Sequence, residues 1–332
     1  MRKMTVTGQA GLKDLKLSDV DVGEPGVGEV QVHWKATSLN YHDLMVAQGL
    51  IPVAADRVPM SDGAGEVVAV GQGVTRWQVG DRVMSTFFPL WRTGAPALEN
   101  MWQVAGETVD GFALDRSNVG ENTLTSVPHG YTDAEAATLP CAAVTAWRAL
   151  VEECGVRPGD TVLIEGTGGM SLFALQIAKA AGATVIATSS SDEKLERLRD
   201  MGADHTINYR SDENWGKSAY ALCGGVDHVL DVGGGATIRQ STEAVAIGGN
   251  IVLIGILGGR KGEIVFPKYF FKQVHLAGIA VGSHVHQERM VRAINQDGFK
   301  PVIDRSFSLP ELGDAFTYQA SGQQFGKIVV EY

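Results

Sequence analysis

Residues 161–194 read TVLIEGTGGMSLFALQIAKAAGATVIATSSSDEK, and this stretch decides the fold. The apolar run 161–164 predicts a short strand. Gly166-Thr167-Gly168-Gly169 predicts a tight turn, residues 170–181 a helix that Gly182 stops, and residues 183–188 a second apolar strand. Strand, glycine turn, helix and strand in about 30 residues is the size of one βαβ unit. A side chain at Gly166 or Gly168 would block backbone approach to a pyrophosphate. A helix beginning near Gly169 and Met170 aims free N–H groups and its dipole at that anion. The third glycine of G-x-G-x-x-G is Ser171, small enough for close helix–strand packing. The expectation is a dinucleotide cradle with Gly166, Gly168, Gly169 and Met170 at the cofactor.

The end of the second strand indicates which dinucleotide. A carboxylate there would accept hydrogen bonds from the adenosine ribose of NAD, but this chain has Thr188-Ser189-Ser190-Ser191. Hydroxyls at Ser189 and Ser190 suit a 2′-phosphate better, and Lys194 follows with a positive charge. Asp192 and Glu193 read as first-turn helix residues, with a hydroxyl or Asp192 as N-cap. Tyr209-Arg210 offers a hydroxyl, a stacking ring and a guanidinium after the next strand. The expected cofactor is NADP(H).

The 332 residues carry 28 Lys and Arg against 38 Asp and Glu, a formal charge of −10, which argues against nucleic-acid or anionic-membrane partners. Three scattered cysteines, Cys141, Cys154 and Cys223, make no disulfide framework or zinc knuckle. No N-terminal apolar core reads as a signal peptide, and no run reaches the roughly 18 apolar residues of a membrane span. The expectation is a reduced, cytoplasmic protein.

Residues 1–84 alternate and turn like a small β-barrel-like domain, with a short helix in 37–50 closed by Gly49. Residues 85–126 predict loops with two or three short strands. The aromatics Phe87, Phe88, Trp91 and Trp102 are read as core, with a substrate wall as the other reading. From residue 128, with Asp133 as the expected N-cap and a break at Pro140, strands and helices alternate to about 257, the pattern of a doubly wound parallel sheet. The tail predicts a last apolar strand at HLAGIAVGS, a helix at 286–297, strands at VIDRSF and KIVVEY, and a helix at 310–320 between them. KIVVEY must find partners in the first domain.

Gly63-Ala64-Gly65-Glu66-Val67-Val68, Val79-Gly80-Asp81-Arg82-Val83, the run Leu139-Pro140-Cys141-Ala142-Ala143-Val144-Thr145-Ala146-Trp147, the glycine turn and Phe325-Gly326-Lys327-Ile328-Val329 together resemble the medium-chain dehydrogenase/reductase superfamily over essentially the full length. The resemblance implies a mixed α/β fold: a GroES-like β-rich catalytic domain at 1–127, completed by 281–332, and a Rossmann NADP-binding domain at 128–280. Where zinc members carry a Cys, a His and a second Cys, this chain has Asn40, Ser61 and Cys141. One soft ligand cannot hold Zn²⁺, and no four-cysteine lobe occurs between 85 and 110. The expectation is no zinc, and a site from His33, His42 and Cys141 is disfavoured.

What remains resembles the zinc-independent quinone oxidoreductase and enone reductase branch, which carries an Asn and an Asp where Asn40 and Asp43 stand, and in which residues matching Ser189, Lys194 and Tyr209 go with NADPH; Asn40 is also an expected cofactor contact. The resemblance places Thr145 at the nicotinamide and Gly255, Val281 and Gly282 along its channel, with Gly233, Ile256 and Phe325 as further cofactor contacts. Lys327 is expected to reach the cofactor phosphates. Without a Lewis acid an unactivated alcohol is hard to oxidise. An enone, enal or quinone takes hydride at carbon and needs only positioning and a donor toward the developing oxyanion. Asn40 and Tyr41 are the candidate donors, with the final proton from Tyr41, His42 or water. Asp43 is read as a helix cap and Cys141 as a small buried packing residue. The rival readings are a metal-free alcohol dehydrogenase and a non-catalytic, crystallin-like nucleotide binder. The apolar stretch 264–281 is expected to supply an edge strand to a homodimer.

Overall fold

The computed structural model describes residues 1–6, 11–12 and 15–332. The chain divides into two compact units, Met1–Val144 with Val281–Tyr332, and Thr145–Ala280.

The strands of the first unit before the crossover are β1 (Arg2–Val6), β2 (Leu15–Asp19), β3 (Glu29–Ser38), β4 (Ala64–Val70), β5 (Arg82–Ser85), β6 (Arg116–Gly120) and β7 (Leu124–Ser126). In β3 the alternating Val30, Val32, Trp34 and Ala36 are all buried, the period-two pattern of a strand with one face on a core. The second unit holds β8 (Thr161–Glu165), β9 (Thr184–Ser189), β10 (His205–Asn208), β11 (Val226–Asp231), β12 (Val245–Leu253) and β13 (His275–Gly278). The chain then returns to the first unit for β14 (Ile303–Ser308) and β15 (Lys327–Glu331). As the sequence required, β15 finds its partner there: Val329 to Glu331 pair antiparallel with Ser38 to Ala36 of β3. The resulting seven-stranded sheet runs β14-β15-β3-β4-β5-β7, with β6 also on β3. Its core gathers Trp34, Met60, Phe112, Leu124, Phe316 and Ile328.

The second unit is a six-stranded parallel sheet in the order β10-β9-β8-β11-β12-β13. Every residue of β8 is buried, and its centre, Val162-Leu163-Ile164, is the continuous apolar run of a strand covered on both faces. From β8 the chain adds β9 and β10 on one side and then crosses over to β11 on the other. The crevice at the carboxyl ends of β8 and β11 is therefore the topological switch point, where such sheets bind ligands.

Residues 128–144, expected with the nucleotide-binding domain, group with the first unit by contacts: Arg82 bonds the Tyr131 carbonyl and Asp133, and Lys300 bonds the Gly130 carbonyl and Glu135. One sequence expectation is corrected. The N-cap there is Thr132, not Asp133. Its hydroxyl accepts from Glu135 N–H while the Glu135 carboxylate accepts from Thr132 N–H, a reciprocal pair that outcompetes a lone acid. No helix among the described residues is long and apolar enough to cross a membrane.

Candidate active site

The glycine turn is built as the sequence requires. Gly166 has φ +75°, a conformation that L side chains adopt only with strain, and Gly168 caps the helix Gly169–Ala180. A Cβ placed on Gly166 or Gly168 would meet nothing within 4 Å, so the turn presents open backbone at the mouth of the crevice. This is a cradle that a phosphate can approach and a side chain would fill. Ser171 does more than pack: its buried hydroxyl donates to the Glu165 carbonyl at 2.7 Å, pinning the helix to the end of β8.

At the end of β9, Ser189 Oγ accepts from Ser191 N–H and Ser191 Oγ accepts from Lys194 N–H, both at 3.3 Å. Ser191 is thus the N-cap of the helix Asp192–Asp200. Each hydroxyl so engaged still has its own O–H to donate to an anion. Asp192 is turned toward Asn208, whose amide donates to it at 2.7 Å. Tyr209 is exposed and its N–H donates to the Ser189 carbonyl, which sets the residue beside the serine run. Ser189, Ser190, Lys194 and Tyr209 therefore stand on one rim of the second unit.

Of the remaining expected cofactor contacts, Gly233 and Gly255 have packing reasons to be glycine. A Cβ on Gly233 would lie 2.4 Å from Thr237, and one on Gly255 2.5 Å from the Val232 carbonyl. Ile256 is exposed and Thr145 buried. In the first unit Phe325 and Gly282 are buried, and Val281 is held at φ +43°. That is a costly conformation for a β-branched residue, of the kind that clusters at functional sites.

The first unit contains a buried polar cluster at the start of the helix Tyr41–Ala47. Met60, at φ +81°, is clamped by Gly106 and Gly111, whose Cβ positions would overlap its backbone or that of Pro59. The following Ser61 and Asp62 are fully buried. Asp43 caps the helix as expected. Its carboxylate accepts from Asn40 N–H at 2.9 Å, Ser61 N–H at 2.8 Å and the Ser61 hydroxyl at 3.2 Å. Asp62 Oδ2 accepts from Ser38 Oγ and Asn40 Nδ2, each at 2.8 Å, whereas Asp62 Oδ1 is buried without a hydrogen-bond partner. Burial pushes the Asp62 carboxyl up to about 6, the nearby Lys327 ammonium holding it lower than burial and Asp43 alone would.

Asn40, expected to donate to substrate, has both amide N–H groups engaged inside the cluster, on Asp62 Oδ2 and, at 3.1 Å, on Ser61 Oγ. Lys327, expected at the cofactor phosphates, is turned into the same cluster. Its buried ammonium donates to Asn40 Oδ1 at 2.6 Å and the Leu39 carbonyl at 2.7 Å, and lies 3.7 Å from Asp62 Oδ2. Tyr41, 41% exposed, remains the accessible donor. His42 bonds Glu107 at 2.7 Å and faces Asp43 at 3.7 Å. Burial alone would lower its pKa, but the two carboxylates raise it to about 9. Phe87 packs edge-on to His42, and Phe88 and Trp91 continue the buried aromatic wall, while Trp102 is exposed and leaves the cluster.

The donor set does not fit Zn²⁺. Asn40 and Ser61 are bonded to each other and a lysine ammonium already sits on Asn40, so a divalent cation there would oppose a fixed positive charge. Cys141 is half-buried, less enclosed than expected of a packing residue, in the turn Leu139–Ala143. His33 is engaged with Lys35. Among the described residues no three His, Cys, Asp or Glu side chains are arranged to hold a metal ion.

The sequence matches the family of the alcohol dehydrogenase GroES-like domain over residues 26–129 and that of the zinc-binding dehydrogenases over residues 169–296. It is 39% identical over 333 residues to a zinc-type alcohol dehydrogenase-like protein of Schizosaccharomyces pombe, covering 97% of this chain and 96% of that one. The chain belongs to the medium-chain dehydrogenase/reductase superfamily. A solved superfamily member from Sinorhizobium meliloti 1021, provisionally named an alcohol dehydrogenase, matches with a TM-score of 0.94 at 41% identity, over 100% of this chain and 98% of that one. The crotonyl-CoA carboxylase/reductase AntE, solved in complex with NADP, matches at 0.85 and 25% identity, over 100% and 94%. As a member of this superfamily the protein is an NAD(P)-dependent oxidoreductase with a small-molecule substrate.

Proposed function

We propose that the protein is an NADPH-dependent, zinc-independent reductase of activated carbonyl compounds, either quinones or α,β-unsaturated carbonyls. The observation that carries this reading is the Lys327 ammonium lodged on Asn40, in a polar cluster whose donors suit neither a metal nor an alkoxide held on one. Such a site lacks the means to acidify an alcohol, whereas an activated acceptor needs hydride, positioning and one hydrogen-bond donor. Tyr41 is that donor in this reading. Glycine-turn backbone and the helix Gly169–Ala180 hold the pyrophosphate, Ser189, Ser190 and Lys194 the 2′-phosphate, and Tyr209 stacks on the adenine. NADPH, when bound, supplies the hydride. AntE, whose name specifies a crotonyl thioester, is a relative whose acceptor belongs to the same activated class.

Steady-state assays test the reading: NADPH oxidation with an enone or a quinone is expected, and turnover of a simple alcohol with NADP⁺ alone would reverse it in favour of a metal-free alcohol dehydrogenase. NADPH binding with no turnover of any acceptor would favour a non-catalytic binder. Lys194→Glu tests the cofactor assignment. It is expected to weaken NADPH about 30-fold, by replacing an attractive charge with a repulsive one, and NADH less than about threefold. Equal weakening in fluorescence titrations would contradict the 2′-phosphate assignment.

We also propose a cytoplasmic homodimer. β13 is the edge of the parallel sheet, and Phe266, Phe270 and Phe271 on the adjacent helix Phe266–Lys272 are each more than 70% exposed. An unpaired edge beside exposed aromatics is an association surface. Phe270→Asp with Phe271→Asp is expected to convert a dimer mass to a monomer mass in light scattering. A wild-type monomer would remove the proposal.

A further inference from the structure

The nucleotide unit buries two carboxyls that its expected chemistry does not use. Glu165 is the last residue of β8 and Asp231 the last of β11, and these strands are neighbours at the switch point. Both side chains are buried and both meet the hydroxyl of Ser241, at 3.1 Å from Glu165 Oε1 and 2.7 Å from Asp231 Oδ2. A serine hydroxyl has one proton and can donate to only one of them. The other contact is a hydrogen bond only if that carboxyl is protonated and donates to Ser241 Oγ.

The remaining partners say which carboxyl carries the proton. Asp231 Oδ1 accepts from Gly234 N–H at 2.7 Å and from Thr237 Oγ1 at 2.6 Å, and its Oδ2 has the shorter contact with Ser241. Asp231 is thus already met by three close donors. Glu165 Oε2 accepts longer bonds, from Val232 N–H at 3.0 Å and Gly233 N–H at 3.1 Å, and its Oε1 has only Ser241. Glu165 therefore carries the proton. Its Oε1–H donates to Ser241 Oγ, and Ser241 Oγ–H donates to Asp231 Oδ2.

Glu165 also touches the glycine turn. Its carbonyl accepts from Ser171, at the position of the missing third glycine, so one residue ties the phosphate-facing helix to the 231–234 backbone across the crevice. We propose that Glu165 is a positioning residue of the nucleotide site that works as a neutral acid, and that the crevice binds dinucleotide only while its proton is in place. Losing that proton to solvent would leave two buried anions sharing one hydroxyl, and their repulsion would open the brace. The charged group that faces Glu165 is Asp231, which in turn raises the Tyr269 phenol bonded to Thr242. Burial first, and Asp231 second, push the Glu165 carboxyl up to about 8, the N–H groups of Gly233 and Val232 and the Ser241 hydroxyl opposing them.

The inference rests on the nucleotide reading above, and its test separates the two. NADPH affinity of the whole protein is followed by fluorescence between about pH 6 and 10. Wild type is expected to bind evenly up to about pH 8 and then to weaken about tenfold per unit. Glu165→Gln keeps a neutral donor toward Ser241 and an acceptor toward the 232–233 backbone. It is expected to bind within about threefold of wild type at pH 7 and to stay flat to pH 10, whereas Glu165→Ala is weakened about tenfold throughout. A Gln variant with the wild-type alkaline loss would overturn the proposal. Should that variant not fold, the infrared carbonyl band of a protonated carboxyl in wild type reads the same proton, expected at pH 7 and lost by about pH 10. Its absence at pH 7 also overturns the proposal. Wild type that binds no NADPH at pH 7 would overturn the nucleotide reading and this role with it.

Discussion

Gly168→Asp is expected to weaken NADPH binding by at least about 100-fold while leaving the protein folded. A carboxylate set against a pyrophosphate costs several kcal/mol, and about 2.7 kcal/mol already corresponds to 100-fold. The fold tolerates the change for local reasons. Gly168 has φ −74° and ψ 169°, ordinary for any residue, and its Cβ would enter open space. It is also the N-cap of the helix, a position where Asp is among the preferred residues. The thermal midpoint is therefore expected to hold or rise as binding disappears. Gly166 cannot make this distinction, because its φ of +75° strains any substitution and mixes folding with binding. Binding retained within about threefold, read by fluorescence titration, would remove the phosphate from this turn.

Lys327→Met is expected to destabilise the first unit by about 3–5 kcal/mol at pH 8, because it strands a fully buried carboxylate without its cation. The dependence on pH is the sharper part of this expectation. Asp62 has a folded pKa of about 6, above its ordinary value of 3.8, so the native state holds the proton more tightly than the unfolded chain. Its contribution to stability is full below about pH 4 and is lost as pH rises through 6. Removing the ammonium raises that pKa further, since Lys327 is the group that lowers it. The cost of Lys327→Met should accordingly shrink when urea unfolding is repeated at about pH 5, where Asp62 is neutral. Adding Asp62→Asn should recover part of the loss at pH 8. An equal cost at both pH values, or no recovery, would mean that the pair does not hold this cluster together.

The nucleotide half was legible in the sequence because its chemistry is local. Strand, turn and helix are consecutive, and a glycine pattern reports backbone conformation directly. The Ser189–Ser191 run and Lys194 fall within one turn of the same strand end. The cluster around Asn40 was only half legible. Asn40 and Ser61 could be read as standing where zinc members carry ligands, but Asp62 could not be singled out, and the lysine that holds Asn40 lies 287 residues away. Lys327 arrives only because β15 pairs with β3, placing it beside the residues that follow Ser38. The sequence required that pairing, and the direction of one lysine side chain does not follow from it. Glu165 illustrates the same limit from the other side. At the end of an apolar strand it reads as a polar strand terminus, and its meaning emerges only with Asp231 and Ser241, 66 and 76 residues later in the chain. Ser171, which reads as a tolerated departure from a glycine motif, proves to be a hydrogen-bond donor to that same residue.

The most direct test of the whole account is NADPH-dependent reduction of an enone or quinone by protein dialysed against a strong chelator, with bound metal quantified in the same sample. Full activity at well under one equivalent of any transition metal is the expected result. Activity lost on chelation and restored by stoichiometric Zn²⁺ would contradict it.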